Sequence, residues 1–446
     1  MLNRKDYWGY ISQFLQNTVA LIFLPIVLPE LDANQIFLWY LLMNMIAFSN
    51  LLDFGITNAF SRNITYSLNG AKEIHSFGFA TTDSHNKSPN YELSNKIVSA
   101  SKYFFVFTSF IFFVMVAVPT YFYGQYFNDY GSSSDFFLAW ALFSISIIIN
   151  NSFRFYNAII QGRDRYDNFF KSLVSLNATF LSLSILLFYF EQNLMIFGVS
   201  YLVAVMFSRF LARYFAYNKE FGLKLSNTKK ISFSESFLIF KILWSMSWRF
   251  GVSALGAFLI IRGSFFVIGI FLGPETASSY FLSLQIFTVI QSFSLIYTSA
   301  RLPLFASLNL DFSNNLLLIQ KIIRSSYFIS IFTYLTLSLF AIMLLPILLD
   351  RFQSNINLID QYLLIFLMFI LLLETVHVNA ASIITTLNQA PFYKASIISG
   401  ILIVCTSYFY LNEYGSELVS VMTIHFLVQL SYNNWKWPFL LKKYFY

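Results

Sequence analysis

One stretch of the sequence, residues 250–273, constrains the fold most, because Arg262 is its only charged residue. An α-helix crosses the hydrocarbon core of a bilayer with ~20 apolar residues, so this run is long enough to span a membrane. Arg262 then lies near the midpoint, where a charge costs at least ~2.5–3.5 kcal/mol. We therefore expect Arg262 to line a wet cavity or, as the alternative, to pair with an acidic side chain on another helix.

The composition excludes a soluble globular protein. Of the 446 residues, 57% are apolar and only 11% are charged, whereas soluble domains carry about 25% charged residues. The single cysteine, Cys405, excludes a disulfide framework, and the four histidines show no metal-site spacing. No glycine-rich phosphate loop is present, so we expect neither ATP hydrolysis nor a cofactor. The sequence predicts an all-α polytopic membrane protein.

Twelve apolar segments predict about twelve transmembrane helices in two six-helix lobes around a central cavity. The segments are roughly 7–29, 36–59, 102–124, 135–160, 169–190, 194–217, 244–272, 277–300, 324–349, 360–386, 394–411 and 417–440. The first segment is too long for a cleavable signal peptide. A polar stretch at 61–101 separates the second and third segments, and we expect no membrane helix there.

The chain also shows signs of an internal duplication. LPELDANQIFL at 28–38 resembles LGPETASSYFL at 272–282, and each ends the first helix of a half. Inverted or parallel repeats of this kind are typical of transporters. We therefore predict an N-terminal lobe at 1–220, a cytoplasmic linker at 221–243 and a C-terminal lobe at 244–446.

Basic residues are distributed unevenly between the two sets of loops. With the N-terminus in the cytoplasm, most of the 28 Lys and Arg residues fall in inner loops or at the inner ends of helices. Arg351 is the one basic residue in the outer loops. This asymmetry predicts that both termini are cytoplasmic. Topology and contact with anionic lipids then explain the net charge of +7, and no nucleic-acid partner is needed. The outer loops are too short for a catalytic domain, so we expect a transporter and no enzyme.

Several other arginines lie in or at the ends of predicted spans and are functional candidates. They are Arg249 and Arg154 within spans and Arg62 and Arg301 at the inner ends of the second helix of each half. Snorkelling to the membrane surface is the structural alternative for Arg249, and we expect Arg209 to snorkel.

Three further titratable residues are candidates for ion coupling. Asp53 lies in the inner third of the second span, where a cation site, a gate and a salt bridge are all open. Glu374 and His377 are three residues apart on the tenth span and therefore share one helix face. Such a pair suits a proton relay, and a hydrogen-bonded structural pair is the equal alternative. His425 is interpreted as a core histidine.

Five segments resemble Wzx-type O-unit flippases, which form the polysaccharide transporter family of the multidrug/oligosaccharidyl-lipid/polysaccharide exporter superfamily. The segments are LLDFGITNAFSR (51–62), QGRDRYD (161–167), SWRFGVSALGAFLI (247–260), LGPETASSYFLSLQ (272–285) and ARLPLF (300–305). The resemblance implies two six-helix lobes around a cationic cavity. It also implies ion-coupled alternating access that moves an undecaprenyl-diphosphate-linked oligosaccharide across the bacterial inner membrane, for O-antigen and lipopolysaccharide synthesis.

The arginines fit the substrate that this resemblance implies. Arg binds phosphate oxygens bidentately, so Arg262, Arg249, Arg154, Arg62 and Arg301 are the expected contacts of the diphosphate. The other expected partners are membrane lipids, H⁺ or Na⁺, and the polysaccharide polymerase machinery. A multidrug exporter of the same superfamily is the alternative, although it would favour buried acids. A polymerase or lipid-linked glycosyltransferase would need larger outer loops.

Overall fold

The structure, a computed structural model, describes residues 4–74, 88–128, 134–217, 219–226, 231–308, 312–351, 354–387, 390–415 and 417–445. Every regular element in these ranges is an α-helix. The helices are α1 (Arg4–Val27), α2 (Ala33–Leu51), α3 (Ile56–Leu68), α4 (Tyr91–Asn128), α5 (Ser134–Ser152), α6 (Phe155–Gly162), α7 (Tyr166–Phe190), α8 (Met195–Ala216), α9 (Lys219–Ser226), α10 (Phe233–Phe271), α11 (Gly273–Ser294), α12 (Ile296–Leu308), α13 (Phe312–Arg351), α14 (Gln361–Thr385), α15 (Tyr393–Tyr414), α16 (Leu418–Ser431) and α17 (Asn433–Phe445).

The fold class predicted from the sequence is confirmed, because helices occupy each of the twelve predicted spans. Within the described ranges, nine helices are long and apolar enough to cross a membrane, and a tenth is obtained if α11 and α12 form one span. The second, fourth, eighth and twelfth predicted spans are each divided into two helices. The bend between α11 and α12 is 45°. The protein is a multi-pass, all-α membrane protein.

The break between α2 and α3 is built by three consecutive residues. Phe54 and Gly55 have φ angles of 48° and 68°, a left-handed conformation that ends a right-handed helix. The Asp53 carboxylate accepts hydrogen bonds from the backbone N–H and the hydroxyl of Thr57, in the first turn of α3. A Cβ atom on Gly251 of α10 would lie 2.0 Å from the Phe54 ring. The break therefore packs directly against the backbone of α10.

The polar stretch at 61–101, expected to lie between spans, is largely the ends of two helices. Helix α3 continues to Leu68 and α4 begins at Tyr91, because Asn90 caps α4 by accepting the Leu93 N–H at 3.0 Å. The hydroxyls of Ser67 and Ser94 join the two helices at 2.7 Å. Residues 75–87, within the same predicted stretch, lie outside the described residues.

Spatial proximity divides the chain into two compact units. The first unit contains residues 1–23 and 41–251, and the second contains 24–40 and 252–446. The boundary at Gly251 and Val252 falls inside α10. The lobes proposed at 1–220 and 244–446, with the linker at 221–243, remain a prediction.

In the first unit, α3 packs closely on α6. A Cβ on Gly162 would lie 2.7 Å from the Ile64 side chain, and the Thr65 hydroxyl donates to the Gly162 carbonyl at 2.9 Å. Phe60 and Ile159 are buried beside this contact. The short helix α6 is thereby held in place, and with it the residues at its start.

In the second unit, residues 24–40 are tied to the rest by hydrogen bonds. The Asn355 side chain donates to the carbonyls of Pro29 and Leu31, at 3.0 Å each. Elsewhere in this unit, α10 and α15 make backbone contact. A Cβ on Gly256 would lie 2.4 Å from the carbonyl carbon of Ser396, and one on Gly400 would lie 2.7 Å from Leu259.

Candidate functional site

The first unit contains a cluster of positive charge at the break between α5 and α6. The break comprises Phe153 and Arg154, and it places the Arg154 side chain towards α2. There the Arg154 Nη2 donates to the Asn50 Oδ1 at 2.7 Å. The predicted site residue Arg154 is therefore half-buried and bound to a neutral amide.

Arg209 of α8 belongs to the same cluster. The structure buries this residue, which is only 6% exposed, so the expectation that it snorkels to the surface is wrong. Its Nη1 donates to the Asn157 Oδ1 at 3.3 Å, and its Nε has no hydrogen-bond acceptor. Asn157 lies one turn after Arg154 on α6, and the two guanidinium charges are close enough to interact.

This arginine cluster has an excess of positive charge and of hydrogen-bond donors. Among the described residues, neither Arg154 nor Arg209 forms an ion pair with a carboxylate, and the charges near them are those of other arginines. The Tyr201 side chain is within electrostatic range of both. Each guanidinium has five N–H donors, and the structure uses one of each group for a side-chain amide. Such a cluster favours an anion with several acceptor oxygens.

The other predicted arginines are divided between the units. In the first unit, Arg62 is half-buried on α3, and Arg249 is exposed on α10 with its guanidinium 5.7 Å from the Trp248 ring centroid. In the second unit, Arg301 of α12 lies over the Tyr297 ring at 3.5 Å. None of the three is deeply buried.

Arg262 lies on an aromatic surface in the second unit. Its guanidinium is 5.4 Å from the centroid of the Phe281 ring. The Phe281 ring also packs against the rings of Tyr40 and Phe265, with centroid distances of 4.7 Å and 4.8 Å. A cation over an aromatic face gains about 2 kcal/mol or more when it is desolvated. The aromatic face thus lowers the cost of placing this charge in the span.

A cluster of opposite character lies on α14 and α16 of the second unit. Glu374 is almost fully buried, and its two oxygens face two histidines. The His377 Nε2 is 3.4 Å from Oε2, and the His425 Nε2 is 3.6 Å from Oε1. The pairing of Glu374 with His377 follows from their spacing in the sequence. His425 was interpreted as a core histidine, and the structure adds it to this carboxylate.

Hydrogen bonding constrains the protons of this cluster. The His377 Nδ1 lies 3.0 Å from the Asn434 Oδ1, an acceptor, so Nδ1 carries a proton. The His377 Nε2 then faces the Glu374 carboxylate, and one proton must lie between them for a favourable contact. Either the imidazole or the carboxyl group holds that proton. The cluster can therefore exchange a proton between two groups without a change in its net charge.

Asp53 has a local role at the break between α2 and α3. Its carboxylate contacts are the hydrogen bonds to Thr57 described above. Ion coupling at Asp53 remains a prediction. No group of three or more His, Cys, Asp or Glu side chains in the described ranges is arranged to hold a metal ion.

Solved structures share this fold over almost the whole chain. A MOP-superfamily transporter from Pyrococcus furiosus, described as having a binding pocket of reversed polarity that suggests a different function, has a TM-score of 0.64 and 13% identity over 99% of this chain and 94% of its own. A multidrug resistance MATE-family transporter has a TM-score of 0.66 and 12% identity in its inward-facing conformation, over 96% of both chains. A multidrug resistance MATE-family transporter in an outward-facing conformation has the same TM-score and identity, over 100% of this chain and 96% of its own.

These likenesses show that this chain shares the fold of the three solved structures. No protein-family profile matches the sequence, and no curated protein is significantly similar to it.

Proposed function

We propose that this protein is a flippase that moves an undecaprenyl-diphosphate-linked oligosaccharide from the cytoplasmic to the periplasmic leaflet of a bacterial inner membrane. It works by alternating access, with both termini in the cytoplasm. Its structural neighbours include an inward-facing and an outward-facing structure of multidrug resistance MATE-family transporters, which supports alternating access. Contact with polysaccharide polymerase machinery is part of the same prediction.

The arginine cluster of the first unit is the observation that carries this proposal. Arg154 and Arg209 bind the neutral amides of Asn50 and Asn157, and no carboxylate in the described residues neutralises them. Two unneutralised arginines inside a membrane protein are costly, and a diphosphate would supply the missing negative charge. Arg262, Arg249, Arg62 and Arg301 are the further expected contacts along the path.

The Glu374 cluster supports coupling to a proton gradient. A buried carboxylate that shares a proton with His377 can release it when the local hydration changes. Protons are therefore favoured over Na⁺ as the coupling ion. Transport that is insensitive to both gradients would contradict the coupling.

The test is transport of a fluorescent polyprenyl-diphosphate oligosaccharide in proteoliposomes. We expect Arg262→Ala to abolish transport and Arg262→Lys to retain part of it, because charge is kept while bidentate geometry is lost. Arg351→Ala, at the exposed end of α13, is the control and should transport normally. Equal rates for Arg262→Ala and the wild type would remove Arg262 from the mechanism.

An ion-coupled multidrug exporter is the second candidate function. The buried Glu374 favours it, because a carboxylate inside a span can attract a cationic drug, and two of the similar structures are of a multidrug resistance transporter. Efflux of a cationic dye that is lost in Glu374→Gln and unaffected in Arg209→Met would identify a drug exporter. Transport of the lipid-linked glycan that is lost in Arg209→Met, without efflux of the dye by the wild type, would identify a flippase.

A further inference from the structure

A groove on the second unit, lined by none of the residues of the two charge clusters, has the features of a lipid site. The cavity has a volume of about 390 Å³ and lies between α13 and α17, and its lining residues are Ile323, Arg324, Tyr327, Pro438, Leu441 and Lys442. The Gln320 Nε2 donates to the Phe445 carbonyl at 2.7 Å. This hydrogen bond closes one end of the groove by joining the end of α17 to α13.

The groove has an apolar floor and a cationic rim. Ile323 and Leu441 are buried at its floor, whereas the charged ends of Arg324 and Lys442 are exposed. Pro438 lies inside α17, where the missing N–H and the bulk of the ring disturb regular helix packing. The Pro438 ring is also part of the cavity lining.

An apolar stripe leads away from the rim along α13. Arg324, Phe328 and Phe332 are four residues apart and share one helix face. The Phe328 and Phe332 side chains are 70% and 61% exposed, and their rings stack at 6.1 Å. The stripe runs ~12 Å from Arg324 to Phe332 at the ~1.5 Å rise of a helix. A charged head at the rim could thus continue into an apolar chain on the stripe.

We propose that this groove binds an anionic phospholipid, with its phosphate between Arg324 and Lys442 and an acyl chain along Phe328 and Phe332. Basic pockets between transmembrane helices on the cytoplasmic side recognise such headgroups, and the positive-inside distribution places this end of α13 and α17 in the cytoplasm. Arg324 offers bidentate geometry to phosphate oxygens. A zwitterionic headgroup would add a cation that the two side chains repel.

The test is native mass spectrometry of the full-length protein during stepwise removal of lipid. We expect the wild type to retain phosphatidylglycerol in preference to phosphatidylcholine. Each of Arg324→Gln and Lys442→Gln should weaken this retention about fivefold, and the double variant about 25-fold, because a basic residue near anionic lipid contributes on this scale. The charge-conserving variant Arg324→Lys with Lys442→Arg should retain the lipid and shows that the groove still forms.

The matched control is the double variant Lys321→Gln and Lys443→Gln. Both lysines are exposed on the same two helices and lie outside the cavity lining, so phosphatidylglycerol retention should match the wild type. Equal losses in both double variants would overturn the site, as would equal retention of phosphatidylcholine. Displacement of the lipid by inorganic phosphate at the same concentration would identify a free-anion site instead, and would also overturn the proposal.

Discussion

In the first unit, Arg154 and Arg209 share a cluster with neutral amides, whereas in the second unit Glu374 lies between two histidines. The first cluster has uncompensated like charges, and its neighbours do not lower the repulsion. The second cluster contains its own counter-charge and shares a proton among its members. Charge in the first unit is therefore available for a ligand, and charge in the second is satisfied within the protein. The two clusters should respond in opposite ways to the loss of a charged side chain.

The largest expected effect is on stability in the second unit. Glu374→Ala leaves two histidines facing a cavity, and breaking a buried pair of this kind costs about 3–5 kcal/mol. Thermal unfolding of the purified protein in detergent should therefore begin at a markedly lower temperature. Glu413→Ala, at an exposed position on α15, is the control and should unfold as the wild type does. An unchanged Tm for Glu374→Ala would mean that the cluster is not satisfied internally.

In the first unit, loss of a charged side chain should raise the thermal stability instead of lowering it. A buried charge that no carboxylate neutralises carries a desolvation penalty of several kcal/mol, which an apolar side chain of similar size does not carry. Arg209→Met should therefore raise the Tm while it lowers transport of the lipid-linked glycan. Arg209→Lys is the control and keeps the charge, so it should not gain this stability. If Arg209→Met unfolds at a lower temperature than the wild type, an anion or acid already compensates the charge.

A smaller loss of stability is expected when the side-chain amide that accepts a hydrogen bond from Arg209 is removed. Asn157→Ala takes away the hydrogen bond to a charged group, which contributes about 1.5–3 kcal/mol. This decrease in the free energy of unfolding should disappear when Asn157→Ala is made in the Arg209→Met variant. A double-mutant cycle of unfolding free energies measures the difference. Asn58→Ala, at an exposed position on α3, provides the comparison. A cost for Asn157→Ala that persists in the Arg209→Met background would show that Asn157 acts elsewhere.

The smallest effect distinguishes the two histidines. His377 shares a proton with Glu374 and forms the hydrogen bond to Asn434, whereas the His425 Nε2 is 3.6 Å from the carboxylate, beyond a hydrogen bond. His425→Asn should cost about 1 kcal/mol or less, and His377→Gln should cost more. His377→Gln should also weaken the dependence of transport on an imposed proton gradient, because the glutamine cannot take up the proton that faces Glu374. Equal dependence on the gradient in the two variants would contradict this assignment.

The spans could be read from the sequence because their signal is local. A run of apolar residues such as 250–273 identifies a membrane helix without knowledge of its neighbours. The break after α2 also has a local signal, since Asp53 and Gly55 bracket Phe54 in a pattern typical of turns. The prediction of one continuous helix over 36–59 did not take this turn pattern into account, and the structure divides that span into α2 and α3.

The partners within the clusters could not be read in the same way. Arg154 and Asn50 are 104 positions apart, and nothing in the sequence indicates which helices are neighbours. Arg209 was expected to snorkel because its distance from the helix end allows it, and only the packing of α8 shows that it is buried. His425 joins Glu374 for the same reason. The close spacing of Glu374 and His377 was the exception, because both lie on one helix.

The contact between α10 and α15 limits which amino-acid substitutions this protein can accept during evolution. Gly256 and Gly400 each face the opposite helix so closely that a methyl group would overlap its neighbour. At both positions a backbone atom of the facing helix lies within 2.9 Å of the added carbon, so a substitution must be matched by a shift of a whole helix. Gly256 and Gly400 should therefore stay glycine as the sequence diverges. A saturation library of α10 and α15 would record both as positions that tolerate no larger side chain, together with Gly251, which packs as closely on Phe54.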